Sequence, residues 1–252
     1  MGRGFAVVEI SMDFSNRRFL VCGASSGIGE ACARRLHAMG AGVTLVARRE
    51  SCLQRITDDL GDRADYRVCD LSRPGGALEL FEKLTFPFDG LVYSAGIKDD
   101  MPLSVREGDR AAQIYQVNYS SFVETLQQFT KRGRYAKNAA AVAISSISAF
   151  APGLGCADYA ASKAALNAAV SALALELLRK NVRVNAIAPG FTETDMLKNQ
   201  VSNELRSQIS QKQPLGIVEP DAVAALAAFL LSEQARYMTG LIVPMDAGSL
   251  LR

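Results

Sequence analysis

The chain has no tryptophan, one histidine and five cysteines among 252 residues. A Ser-His-Asp triad is excluded unless His37 serves it, and that residue falls inside the first helical segment, where a surface position is the plain reading. The cysteines, Cys22, Cys32, Cys52, Cys69 and Cys156, are odd in number and show no C-x-x-C spacing, so neither a zinc site nor a disulfide framework is indicated. Reduced thiols in the cytoplasm are the expectation. Charge of one sign is scarce too: 28 Lys and Arg stand against 26 Asp and Glu, a net +2, so no strong pull toward nucleic acid or an anionic membrane is implied. The longest apolar run, 222–231, is ten residues, too short to span a bilayer. No charged-then-apolar leader with a small-residue cleavage site is found.

What is present is ordinary for a soluble globular domain, with 49% hydrophobic and 21% charged residues. Strand-like segments at 19–22, 42–47, 66–69, 90–94, 141–145, 182–187 and 241–243 alternate with helical segments at 27–39, 50–60, 76–84, 108–132, 157–179 and 221–231. Such alternation predicts a single α/β domain over 1–252, with a seven-stranded parallel sheet and helices on both faces. Ligands then bind beyond the carboxyl ends of the strands. Residues 1–16 precede the first strand and read as an N-terminal extension. Residues 191–218 form a long connection at the ligand edge and read as a substrate lid.

Two motifs carry chemistry. The first strand ends in Gly23-Ala24-Ser25-Ser26-Gly27-Ile28-Gly29 and runs into a helix. Glycines there permit a sharp turn and close approach of a diphosphate, and the helix start supplies N–H donors and a positive dipole end. Downstream, Tyr159 and Lys163 stand four apart in an Ala/Leu-rich helix, so phenol and ammonium share one face. A nearby cation favours the phenolate, which predicts a lowered Tyr159 pKa and a proton carrier usable near neutrality.

With the spacing Gly-x-x-x-Gly-x-Gly and Tyr159-x-x-x-Lys163, the chain from about residue 18 onward resembles the classical short-chain dehydrogenase/reductases, whose fold is Rossmann-type and doubly wound. Other elements agree in order: Ser94-Ala95-Gly96 after the fourth strand, where the family has Asn-Asn-Ala-Gly; Asn118 in the following helix; Ser146, thirteen residues before Tyr159; and Pro189-Gly190 with Thr194 after the sixth strand. The resemblance implies a tetrad of Asn118, Ser146, Tyr159 and Lys163. Tyr159 would exchange the proton, Lys163 would depress its pKa and bind the nicotinamide ribose, and Ser146 would donate to the substrate oxygen. Asn118 would hold a water linking Lys163 to solvent. Cys22 and Ser94 depart from the family's Thr and Asn at positions that brace the turn, which predicts weakened but surviving cofactor binding.

The second strand ends at Ala47, followed by Arg48-Arg49. An acidic residue there would accept from the 2′-hydroxyl of NAD. Its absence, and guanidinium groups suited to a 2′-phosphate, point to NADP(H). Ser25 adds a hydroxyl donor. By the resemblance, Asp70 contacts the adenine amino group and Leu71 lines its pocket.

The substrate walls are expected at Ile97, Met101, Leu103, Phe150, Leu154, Phe191, Met196 and Leu197, a largely apolar cleft, with Asp99 and Asp100 discouraging anionic groups at its mouth. The stretch from Asn185 to Met196 resembles the 3-oxoacyl-acyl-carrier-protein reductase branch. That resemblance implies hydride transfer between nicotinamide and a carbonyl or secondary alcohol, a 3-oxoacyl thioester among the candidates, and a homotetramer or homodimer. Lys131, Arg132, Arg134 and Lys137 would then either greet an acidic acyl carrier protein or form a solvated helix end whose cations the dipole favours. Reductases of sugars, polyketides, steroids or small ketones share these motifs and stay open. So do two rivals: a catalytically silent nucleotide-binding regulator, against which the intact tetrad argues, and an extended-family epimerase or dehydratase, against which the length and glycine spacing argue.

Overall fold

The computed structural model describes residues 12–85, 87–194, 197, 209 and 211–251. Seven strands, β1 (Arg18–Cys22), β2 (Gly42–Ala47), β3 (Ala64–Val68), β4 (Phe88–Tyr93), β5 (Tyr135–Ile144), β6 (Arg183–Pro189) and β7 (Ile242–Met245), form one sheet in the order β3-β2-β1-β4-β5-β6-β7. Every pairing is parallel. The crossovers carry α1 (Gly27–Ala38), α2 (Glu50–Leu60), α3 (Gly76–Glu82), α4 (Gly108–Tyr115), α5 (Ser121–Phe129), α6 (Ala157–Leu177) and α7 (Pro220–Leu231).

The central strands read as continuous apolar runs because both faces are covered. One layer packs Leu36, Val43, Leu53, Ala224 and Leu231 beneath α1, α2 and α7. The other packs Leu20, Phe81, Leu91, Phe122 and Leu166 beneath α3, α5 and α6. Each such side chain other than Ala224 contributes roughly 1.5–3 kcal/mol on burial. The strand order reverses between β1 and β4, which opens a crevice at their carboxyl ends.

Three expectations change in detail. The helix foreseen at 108–132 is divided: α4 gives way to a π-helical segment, Gln116–Ser120, before α5 begins. The fifth strand begins earlier, at Tyr135, with a register irregularity near its start. And α6, with the 3-10 turn Leu178–Lys180, is by length and composition apolar enough to cross a bilayer. It instead packs along β6. Residues 1–11 and half of the foreseen lid, Met196 included, lie outside the described residues.

Candidate active site

The turn from β1 to α1 is built on close approaches. Gly23 has φ +82°, and a Cβ there would overlap the backbone of Ser94 and Ala95. A Cβ on Gly29 would strike the Gly23 carbonyl, so the first turn of α1 closes onto the loop only with glycine at that place. Gly27, at φ +57°, faces the Thr194 methyl group. The Gly23 N–H donates to Val46 O at 2.8 Å and the Ser94 N–H to Cys22 O at 2.8 Å. The brace between β1 and β4 thus runs through main chain. This is why Cys22, fully buried, can stand where the resemblance foresees Thr.

Arg49 crosses from the end of β2 to this loop. Its guanidinium donates to Ser25 Oγ at 2.9 Å and to Ser26 Oγ at 2.6 Å. Arg48 stands close enough to Asp70 to favour its charged form. Burial pushes the Asp70 carboxyl up. The Ser72 hydroxyl and amide, 2.6 and 2.9 Å away, and then Arg48 and Arg73, overcome this and hold it below its ordinary value. One edge of the site therefore gathers two guanidinium groups and two hydroxyls where no carboxylate ends the strand.

At the other edge lie the residues of the expected tetrad. Tyr159 is half-buried on the first turn of α6, and the Ser146 side chain hydrogen-bonds it. Lys163 is buried, and its Nζ donates to Ile144 O at 2.8 Å and lies 5.9 Å from the centre of the Tyr159 ring. Asn118 is fully buried in the π segment. Its Oδ1 accepts from Ile97 N–H at 2.8 Å, and its Nδ2 donates to Ile97 O at 2.9 Å and Ser162 Oγ at 3.0 Å. A Cβ on Gly96 would sit 3.4 Å from Asn118 Oδ1 and 3.5 Å from Lys163 Nζ. The loop therefore passes between those two groups with no side chain of its own.

The electrostatics differ from the expectation that Lys163 lowers the Tyr159 pKa. Burial pushes the phenol up, and the Ser146 hydrogen bond opposes this without overcoming it, while Cys156 and Asp100 push in the same direction as burial. Lys163 itself is drawn down to about 8 by desolvation. The ammonium is spent on a backbone carbonyl instead of the phenol.

Of the residues expected in the tetrad and the cofactor site, all but Gly29 and Asn118 line a single cavity of about 840 Å³. Ile28, Leu71, Ala95, Pro189 and Gly190 are among them. Gly29 and Asn118 stand behind its wall as supports. The substrate side is less apolar than foreseen. Ile97, Phe191 and Leu197 line it, but so do Lys98, Asp100 and Ser148. Leu103, Phe150 and Leu154 are exposed instead of lining the cleft. Nor do the acids repel as expected. Asp100 accepts from Lys98 at 2.7 Å and from the Cys156 thiol at 2.9 Å, and Asp99 accepts from Arg110 at 2.6 Å. The basic cluster of Lys131, Arg132, Arg134 and Lys137 sits at the amino end of β5, the sheet edge opposite the cleft.

Sequence reasoning missed Gln213 and Tyr93. Gln213 is fully buried, accepts from Phe191 N–H at 2.5 Å, and donates to Phe191 O at 3.1 Å and Gly216 O at 3.0 Å. It clamps the loop after Gly190. Only its place before Pro214 marked it as a turn residue.

A family profile described as "Enoyl-(Acyl carrier protein) reductase" matches residues 23–249. The 3-oxoacyl-[acyl-carrier-protein] reductase FabG of Rickettsia prowazekii is 34% identical over 242 residues, covering 95% of this chain and 99% of the relative. The FabG of Escherichia coli is 32% identical over 241 residues, covering 94% and 98%. Among solved structures, a short-chain type dehydrogenase/reductase from Mycobacterium ulcerans superposes with TM-score 0.89 at 28% identity, covering 96% of this chain and 92% of that one. An actinorhodin polyketide ketoreductase solved with NADPH does so with TM-score 0.85 at 28% identity, covering 92% and 97%. The chain belongs to the short-chain dehydrogenase/reductase family: it is an oxidoreductase that passes hydride between a nicotinamide cofactor and a carbonyl or alcohol.

Proposed function

We propose that this enzyme uses NADPH to reduce the 3-keto group of an acyl thioester, the acyl group being carried on acyl carrier protein. One observation supports this above the rest. A single cavity has the hydrogen-bonded Ser146–Tyr159 pair at one end and the Arg48, Arg49 and Ser25 cluster at the other. The residues present fit the dinucleotide. The Gly23 and Gly27 positions keep a diphosphate cradle open, and the arginines offer charge-assisted donors to a 2′-phosphate.

When bound, the nicotinamide supplies the hydride. Ser146 donates to the substrate oxygen and holds it against Tyr159, and Tyr159 gives its phenolic proton as negative charge develops there. Lys163 binds ribose hydroxyls and returns a proton to Tyr159. Asn118, its amide committed to Ile97 and Ser162, acts by holding loop 94–97 against Lys163. Asp70 and Leu71 receive the adenine. The protein works as a homotetramer in the cytoplasm. α6 leaves Leu175 exposed, Leu178 just beyond it is exposed too, and so are Leu241 and Leu251 near the carboxyl end, an apolar surface that a second copy covers.

The test is NADPH oxidation with acetoacetyl-CoA, comparing native protein with Tyr159→Phe. Turnover in the native protein and a loss of about 10²–10⁴-fold in the variant, with NADPH binding kept, supports the reading. The polar wall of Lys98, Asp100 and Ser148 favours one second reading, a sugar or polyketide carbonyl. No turnover of acetoacetyl-CoA despite NADPH binding would select it.

A further inference from the structure

The Tyr93 phenol is fully buried at the end of β4, packed edge-on against Phe122 with ring centroids 5.5 Å apart. Its hydroxyl donates to Val117 O at 2.7 Å. Ser121 Oγ reaches the same carbonyl at 2.9 Å and also meets the Tyr93 hydroxyl. This carbonyl is special because of the π segment. In an α-helix the Ser121 N–H would bond Val117 O, but here it bonds Gln116 O. The displaced carbonyl lies within reach of two hydroxyls, and the residue next to it in the chain is Asn118.

Two ties therefore join the loop after β4 to the π segment. Tyr93 makes the first, just before Ser94. The Asn118 amide makes the second, on both polar groups of Ile97. Between them runs Gly96, against Lys163 Nζ. Within the helix, Ser121 alone can satisfy Val117 O. The Tyr93 hydroxyl adds a link across elements, from strand to π segment.

We propose that Tyr93 is a positioning residue for the reaction: its hydroxyl locks the π segment to β4 and thereby fixes Asn118 and loop 94–97 against Lys163. The inference rests on the reading of Asn118 as a support of the reacting site. It predicts that the ring of Tyr93 serves packing while its oxygen serves catalysis.

Tyr93→Phe keeps the ring, and Ser121 keeps the carbonyl satisfied, so the variant folds. Expected in the full-length protein, with NADPH and acetoacetyl-CoA, is a kcat about tenfold lower with KM for NADPH within about twofold, a milder loss than a full ångström of misplacement brings. Amide exchange at 117–121 should quicken about tenfold, as for a loosened local unit. In an Asn118→Ala background the Tyr93→Phe loss should vanish, because the two share one route. Ser121→Ala should show a smaller loss that vanishes likewise.

A kcat unchanged in Tyr93→Phe, or a loss that persists in the Asn118→Ala background, would overturn the proposal. So would full activity of Asn118→Ala, which would remove the reading beneath it as well. If the native protein does not turn over acetoacetyl-CoA, the substrate reading fails separately. Hydrogen exchange then decides for Tyr93: acceleration supports the lock, and an unchanged rate at 117–121 overturns it.

Discussion

Replacement of Arg49 by alanine should weaken NADPH more than NADH. The Arg49 guanidinium is held by the Ser25 and Ser26 hydroxyls at 2.9 and 2.6 Å, so little of its rotamer freedom is left to lose on binding. A hydrogen bond to a charged group is worth about 1.5–3 kcal/mol. The exposed position and salt screening favour the lower end, so about 1.5 kcal/mol, or roughly tenfold in Kd for NADPH. Arg48→Ala should cost a similar factor, and the double variant up to about 100-fold if the neighbours act independently. NADH carries no 2′-phosphate. It should lose only the small contribution of a loosened Ser25 and Ser26, about twofold to fivefold for a neutral contact near 0.5–1 kcal/mol. The clean quantity is the ratio of the two constants, measured by cofactor fluorescence at low and moderate salt. Native NADPH affinity should fall with salt, and the double variant should be nearly indifferent to it. A ratio left unchanged by both substitutions would refute the assignment of the 2′-phosphate to this corner and reopen NAD(H) as the cofactor.

Two further outcomes are expected. Lys163 has its pKa drawn from 10.5 to about 8 in the fold. Between those values the unfolded chain binds more protons than the native one, so this group's contribution to stability rises with pH across that window and is least below pH 8. Denaturant unfolding of native protein against Lys163→Met should show the difference growing by up to roughly 3 kcal/mol from pH 8 to 10.5, and a flat difference would mean that the ammonium is hydrated. Ala247 sits at φ +52°, a conformation costing an L-residue about 1–2 kcal/mol and partly offset by the greater freedom glycine has when unfolded. Ala247→Gly should raise Tm by about 1–3 °C, whereas a lower Tm would show that its methyl packing outweighs the strain.

The sheet was legible because parallel strands covered on both faces leave unbroken apolar runs, and because glycine at a strand-to-helix turn has few other causes. Gly42–Ala47 and Glu50–Leu60 emerge at the bounds that pattern indicates. The π segment was not legible. Apolar periodicity registers a helix from Gly108 onward, and one inserted residue does not break it. Its cause is tertiary, since a hydroxyl from β4 and a side-chain amide clasping Ile97 favour the widened turn over the α-helical one. The substrate wall was misread for a related reason. Leu103, Phe150 and Leu154 are apolar residues near the mouth in sequence, but sequence does not tell which way a short loop turns its side chains. The ion pairs that neutralise Asp99 and Asp100 come from Arg110 and Lys98, and only the folded geometry shows which charges meet.

At the centre of the site, four-residue spacing correctly places Tyr159 and Lys163 on one face of α6, yet shared burial governs them more than mutual attraction. Desolvation penalises the charged form of each, so the phenol moves up and the ammonium moves down to about 8. As pH rises, Lys163 loses its proton before Tyr159 does. At neutral pH the site therefore stands with a protonated phenol beside a protonated lysine. In the role proposed for Tyr159, that is the state a proton donor to a developing alkoxide needs. Oxidation would need the phenolate, which burial, Asp100 and Cys156 all oppose, with the Ser146 hydrogen bond alone on the other side. In the proposed reading, the arginine corner that would receive NADPH and the phenol that would act as the acid lie at opposite ends of one cavity.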